Sequence, residues 1–327
     1  MAICTDKFPT VLALCLISFF GLTGIAKGFE GPLNIRNSLP LFLSAGSPSI
    51  ISAECKNALN LDFTYSSTYL VDTSNEWSFK MDLETAVMDI QVRKLFGDSM
   101  ELSLDLPVIS FNSGIMDGFL KVYHDAFGFP DYGRSKRPLN DFLFEVTHNG
   151  STVIRGKSGE IALGDLKIGI KKALYIGDPY ISIYGFIEFP TGDPKGGYGN
   201  GALDGGIALL VNKGLGDRFM TYLNAGVVFT DSFRAEQTVS LRDYLYGGVG
   251  LEWLYSKRIS LNTQFFIQGS PFRKTGIRSI DEVATILSFG GRYMIDPKSA
   301  LEISFSEDTN TAGAPDFMAG IGYSYRF

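Results

Sequence analysis

Any histidine-dependent reaction in this chain would have to use one of two histidines. His124 stands in GIMDGFLKVYHDAFGFP, where Phe119, Val122, Tyr123, Ala126 and Phe127 recur at helical spacing, and Asp125 follows it directly. Neighbours on a helix point about 100° apart, so His124 and Asp125 do not form an acid–base pair, and a histidine that holds its loop is the stronger reading. His148 stands in THNGST, which reads as a hairpin tip turning on Asn149-Gly150. A His and a Ser can act together from one strand face when they are two residues apart. Position 126 is Ala and position 150 is Gly, so neither histidine has its serine. Two histidines and one late cysteine, Cys55, offer no metal-ligand spacing. The Gly-rich FPTGDPKGGYGNGALDGG (189–206) lacks the Lys-Ser/Thr pair of a phosphate-binding loop and reads as a flexible surface loop. No catalytic, cofactor or metal residue is assigned.

The elements that would position side chains are strands. From about Asn57 onward the chain alternates at period two: Leu59, Leu61, Phe63 and Tyr65 interleave with Asn60, Asp62, Thr64 and Ser66, and the pattern returns through Met100–Leu106, Leu166–Ile170, Phe219–Phe229, Leu245–Tyr255 and Ile259–Ile267. Short connections, FGDS (96–99), IGDP (176–179), NKGLGD (212–217), YSKR (255–258) and DPKS (296–299), alternate with long ones near 111–158, 190–203, 231–241, 269–281 and 306–315. That sorting predicts an all-β fold, an antiparallel up-and-down transmembrane β-barrel of about twelve strands, with short periplasmic turns and a short helix in the first long extracellular loop. In WSFKMDLETAVMDIQV the apolar face runs Trp77, Phe79, Met81, Leu83 and then changes parity to Met88, Ile90, Val92. A bulge near Thr85 is expected there, the alternative being a turn at 84–86 that would make the strand count odd. Aromatics at strand ends, Tyr65, Trp77, Trp253, Tyr255, Tyr293 and Tyr325, are expected in the two interfacial girdles.

The inward faces would then carry Asp62, Lys80, Asp82, Glu84, Glu101, Asp105, Lys167, Lys171, Glu188, Glu252, Arg292, Glu302 and Arg326. Charges of both signs either line an aqueous path or pair across a narrow lumen. Residues 1–26 read as a secretory signal peptide with cleavage after Ala26, which removes Cys4 and Cys15. Residues 57–327 are the barrel. Between them, 27–56 fits no alternation and is broken by Pro32, Pro40 and Pro48. It reads either as a periplasmic strap or as a lumen plug, with Arg36 meeting carboxylates such as Glu101 or Glu252 and Leu39, Leu41 and Phe42 covering apolar positions. At the other end GIGYSYRF puts Tyr323, Tyr325 and Phe327 on one face, a pattern expected to be read by barrel assembly machinery.

GPLNIRNSLPLF (31–42), LSLDLPVIS and MDGFLKVYHDAFGFPDYGRSKRP (within 102–138), together with the barrel-like C-terminal half, resemble a family of bacterial envelope proteins grouped as domain of unknown function 3187. The resemblance spans nearly the whole mature chain and implies an exported barrel of the cell outer membrane with no assigned chemistry. A passive channel or small-molecule transporter is the function expected first, a lipid-modifying enzyme second, and a structural or adhesive barrel third. Outer-membrane lipids, lipopolysaccharide and a small solute are the expected partners; the basic RSKRP (134–138) is either a solvated loop face or a contact for lipopolysaccharide phosphates. A net charge of −6 without a basic block argues against nucleic acid, and no motif names the solute or sets an oligomeric state.

Overall fold

The computed structural model describes residues 29–128, 134 and 137–327, and the expected signal peptide lies outside them. The strands are β1 (Ala58–Thr73), β2 (Trp77–Phe96), β3 (Met100–Asn112), β4 (Leu143–His148), β5 (Ser151–Arg155), β6 (Ile161–Leu163), β7 (Leu166–Tyr175), β8 (Tyr180–Phe189), β9 (Asp204–Gly214), β10 (Phe219–Phe229), β11 (Ser232–Arg234), β12 (Thr238–Ser240), β13 (Tyr244–Leu254), β14 (Ile259–Gln268), β15 (Ala284–Met294), β16 (Ser299–Asp308) and β17 (Phe317–Arg326). Twelve of them form the wall, in the order β1, β2, β3, β7, β8, β9, β10, β13, β14, β15, β16, β17, each antiparallel to the next. The sheet closes where β17 pairs with β1, from Ala58 opposite Arg326 to Ser67 opposite Phe317. Closure leaves no wall strand with an unpaired edge, the condition a sheet must meet in hydrocarbon.

One end carries only short turns. At the other, the β4–β5 hairpin continues the wall above β3 by pairing with β2, and β6 pairs with β3 above β7. The β4–β5 turn is Asn149-Gly150 with positive φ at both residues (50° and 75°), the conformation that Asn-Gly favours in a two-residue hairpin. A helix, Asp117–Phe127, lies in the connection between β3 and β4.

The strand β2 corrects the sequence reading. Its pairing with β1 runs without a break from Ala58–Arg93 to Thr73–Ser78, so there is neither a bulge near Thr85 nor a turn at 84–86. Odd positions face inward along its whole length: Asp89, Gln91 and Arg93 near the short-turn end, and Trp77, Phe79, Met81 and Leu83 near the long-loop end, all buried. The apolar side changes because the surroundings change. Met88, Ile90 and Val92 face outward, while Trp77 to Leu83 face an apolar body inside the barrel. Trp77 is therefore an interior residue and no part of a girdle, whereas Tyr255 and Tyr293 stand exposed on the outer face.

That interior body is the segment before β1. From Phe29 it ascends to the long-loop end, turns through the helix Pro40–Leu43, and descends to Asn57, with Arg36 bridging Ser49 across the two legs. Leu39, Leu41, Phe42, Leu43 and Ala45 at its tip pack with Trp77, Phe79, Met81, Phe272, Ile277 and Ile280 in one apolar cluster.

Candidate functional site: the lumen and its hairpin

The wall holds the hairpin through polar side chains that reach its backbone. On the ascending leg, Gln264 accepts from Leu33 N (3.1 Å) and donates to Leu33 O (3.4 Å). On the descending leg, Asn224 accepts from Ile51 N (2.8 Å) and donates to Ile51 O (3.0 Å). Each amide thus meets one residue as a neighbouring strand would, satisfying a donor and an acceptor that could not be buried unpaired. Asn212 accepts from Ala53 N, and the Ser182 hydroxyl donates to Ala53 O.

Charged groups do the same with added strength. Glu252 accepts from the backbone N–H groups of Glu30 and Gly31 and from the Tyr222 hydroxyl (2.5 Å). Arg292 pairs with Glu302 and donates to the carbonyls of Gly31 and Pro32. Glu302 also accepts from Asn34 N (3.0 Å), and Asp62 from the Asn34 side-chain amide (3.3 Å). Lys171 sits between Glu101 (3.0 Å) and the carbonyls of Ser52 and Glu54 (3.0 and 2.7 Å), while Glu101 accepts from Lys56 N. Lys167 lies 3.6 Å from Glu188 and donates to the carbonyls of Gly46 and Ser47. Arg326 reaches Glu30 and the Phe29 carbonyl. Asp105 lines a small cavity beside Arg36.

The ascending leg is held by β13 to β17, β1 and β2, and the descending leg mainly by β3 and β7 to β10. Two inward glycines are notches for its side chains. A Cβ on Gly290 would stand 2.8 Å from the Leu33 side chain, and one on Gly248 would stand 2.5 Å from that of Ile50. Between the two legs of the hairpin and the wall lie small cavities of about 30 and 20 Å³, room for one or two waters each.

Three of the residues expected inward are placed outside. Lys80 faces outward and pairs with Glu145. Asp82 is on the outer side of β2, where it binds Arg137 (2.5 Å). Glu84, also outward, accepts from the N–H groups of Ile115 and Met116 just ahead of the helix Asp117–Phe127. Ile115, Met116 and Arg137 of the β3–β4 connection lie against this part of the wall, so the acids there serve the loop. Arg36 meets neither Glu101 nor Glu252; its partner is Asp89, 3.0 Å away with both side chains buried. Arg134 binds Asp117, Asp316 and the Ser67 hydroxyl, and Arg137 binds Asp82 and Asp141, so these two arginines of RSKRP are internal braces and no solvated face. Tyr323, Tyr325 and Phe327 lie on the outer side of the closing strand, with Tyr325 stacked on Phe327.

The amide set Asn212, Asn224 and Gln264 went unmarked in the sequence, although each stands at an inward position opposite outward apolar neighbours. The side chain of His124 lies outside the described residues. His148 stacks on Trp77, ring centroids 4.3 Å apart. The Gly-rich 189–206 segment is folded onto the barrel mouth: Tyr198 stacks on Phe111, and Asp165 accepts from Gly192 N and Asn200 N. Burial, with Glu188 nearby, pushes the Asp165 carboxyl up to about 7. Among the described residues no cluster of His, Cys, Asp or Glu could hold a metal ion.

Compared with solved structures, the chain resembles the COG4313 outer membrane channel from Pseudomonas putida F1, at 13% identity and a TM-score of 0.56 over 87% of this chain and 98% of that one. It also resembles the NanC porin, at 7% identity and a TM-score of 0.50 over 82% of this chain and 100% of that one. At such identities the likeness is one of fold: a closed antiparallel barrel of the outer-membrane type. No curated protein matches the sequence. The model of the family described as "Protein of unknown function (DUF3187)" matches residues 15–327, and the chain belongs to that family.

Proposed function

We propose that the protein is an outer-membrane channel for small solutes and that the Phe29–Asn57 hairpin is its closed gate. The observation that carries this reading is how the lumen is filled. A barrel built only to be rigid needs no more than about eight strands, whose own side chains fill the bore, whereas twelve enclose a wider one. Here the wall presents amides, carboxylates, lysines and arginines to the backbone of a separate segment that runs into the wall at Ala58. With the hairpin out, those same groups would be wetted and would line a polar path of mixed charge. The short-turn end would face the periplasm and the long-loop end the outside. The likeness of fold to a channel and a porin fits this assignment.

Deleting residues 30–54 tests it. The variant should insert, keep heat-modifiable gel mobility, and conduct severalfold more than the parent in planar bilayers. A correctly inserted variant that conducts like the parent would remove the gate from the proposal and leave the hairpin a structural core.

A further inference from the structure

We propose that the helix Asp117–Phe127 is a lipid-binding element of the rim, lying in the boundary between acyl chains and headgroups of the leaflet at the long-loop end. The helix is amphipathic. Its apolar arc runs from Val122 through Ala126, Phe119 and Tyr123 to Leu120, and Lys121, Asp125 and Gly118 lie opposite. Only part of this arc is seated on the protein. Leu120 is fully buried, and Phe119 and Tyr123 meet Phe317 on the outer side of β17 at ring centroids of 5.7 and 5.8 Å. Among the described residues the other edge of the arc is left open: Phe119 is 53% exposed even with its contact to Phe317, and Val122 is 69% exposed.

The uncovered edge continues into the lipid-facing wall. Phe317 meets Phe305 below it at 6.4 Å, and Phe305, Ile303 and Ile321 form an outward apolar strip down β16 and β17. An apolar edge joined to the hydrocarbon belt, with a lysine and an aspartate on the opposite side, has the chemistry of an interfacial helix. The helix is held at that height. Glu84 accepts the N–H groups of Ile115 and Met116, and Asp117 pairs with Arg134, which also binds Asp316 just ahead of β17 at the long-loop end. The inference needs the barrel to be inserted and is independent of whether it conducts.

The test uses the full chain with Cys4, Cys15 and Cys55 replaced by Ser, refolded into phosphatidylcholine vesicles. An environment-sensitive fluorophore is attached at Val122→Cys, at Ala126→Cys, at Asp125→Cys, or at Phe305→Cys as the wall control. Lipids carrying a nitroxide high on the acyl chain should quench positions 122 and 126 several times more strongly than position 125. Lipids with the nitroxide low on the chain should quench position 305 in preference. Heat-modifiable mobility identifies folded samples, and two labelled sites one turn apart guard against a local disturbance by the label. Quenching of positions 122 and 126 by aqueous iodide to the same extent as position 125 would overturn the proposal.

Discussion

Replacing Phe42 by Ala asks whether the hairpin can open while the wall stands. Phe42 is fully buried at the hairpin tip, packed so closely under Gly313 that a Cβ there would meet its ring at 3.0 Å. Losing a buried phenyl group costs about 3–5 kcal/mol. At about 1.4 kcal/mol per tenfold, the open population of the tip should rise by about two to three and a half decades. The wall ladders do not include Phe42, so the loss should fall on the hairpin. Hydrogen exchange on refolded protein in detergent reads this directly. Amides of the hairpin that are bonded inward, such as Leu43 N to Leu39 O, should lose about two to three and a half decades of protection, while β8, β9 and β10 keep theirs. Bilayer recordings should show openings more often than in the parent. Equal loss of protection in hairpin and wall would refute the reasoning, because plug and barrel would then unfold as one body and no gate could work independently.

Lys171→Met should lower the temperature at which the folded gel form is lost, by an amount equivalent to about 3–5 kcal/mol, because Glu101 is left buried without its cation; adding Glu101→Gln should restore part of it. Glu84→Ala should leave the barrel's thermal stability nearly unchanged and make the 113–142 connection more susceptible to protease, since the two N–H groups ahead of the helix lose their acceptor. Substituting His124 and His148 together by Ala should leave conductance unaltered, and loss of a lipid-modifying activity in that double variant would restore the enzyme reading.

Alternation and loop sorting carried the barrel because a lipid-facing strand must show one apolar side, and the turns must be short at one end to let hairpins form. The same logic misplaced Asp82 and Glu84. Alternation says which side of a strand is apolar, but not which side is inside, and on β2 the inner neighbour changes from polar to apolar along one strand. Arg36 was legible as a cation entering the lumen, yet nothing in its neighbourhood distinguishes Asp89 from other inward carboxylates; the hairpin's path decides. Gln264 and Asn224 were hidden for a different reason. A neutral amide carries no mark of its role until the backbone it serves is known.

The connection from the descending leg through Asn57 into β1 bears on the order of assembly. The strands that meet at the seam are the first and last of the wall, and bringing such distant segments together is the slow, entropically costly step of forming a closed sheet. The hairpin is covalently continuous with β1 and on its ascending side offers Gly31, Pro32 and Asn34 to Arg292 and Glu302 of β15 and β16. Those late strands can therefore dock onto a segment that β1 already carries, and the last pairing becomes a short search. The hairpin acts in this respect as a mandrel on which the cylinder is wound, and a chain without it would close more slowly even where the finished barrel is stable.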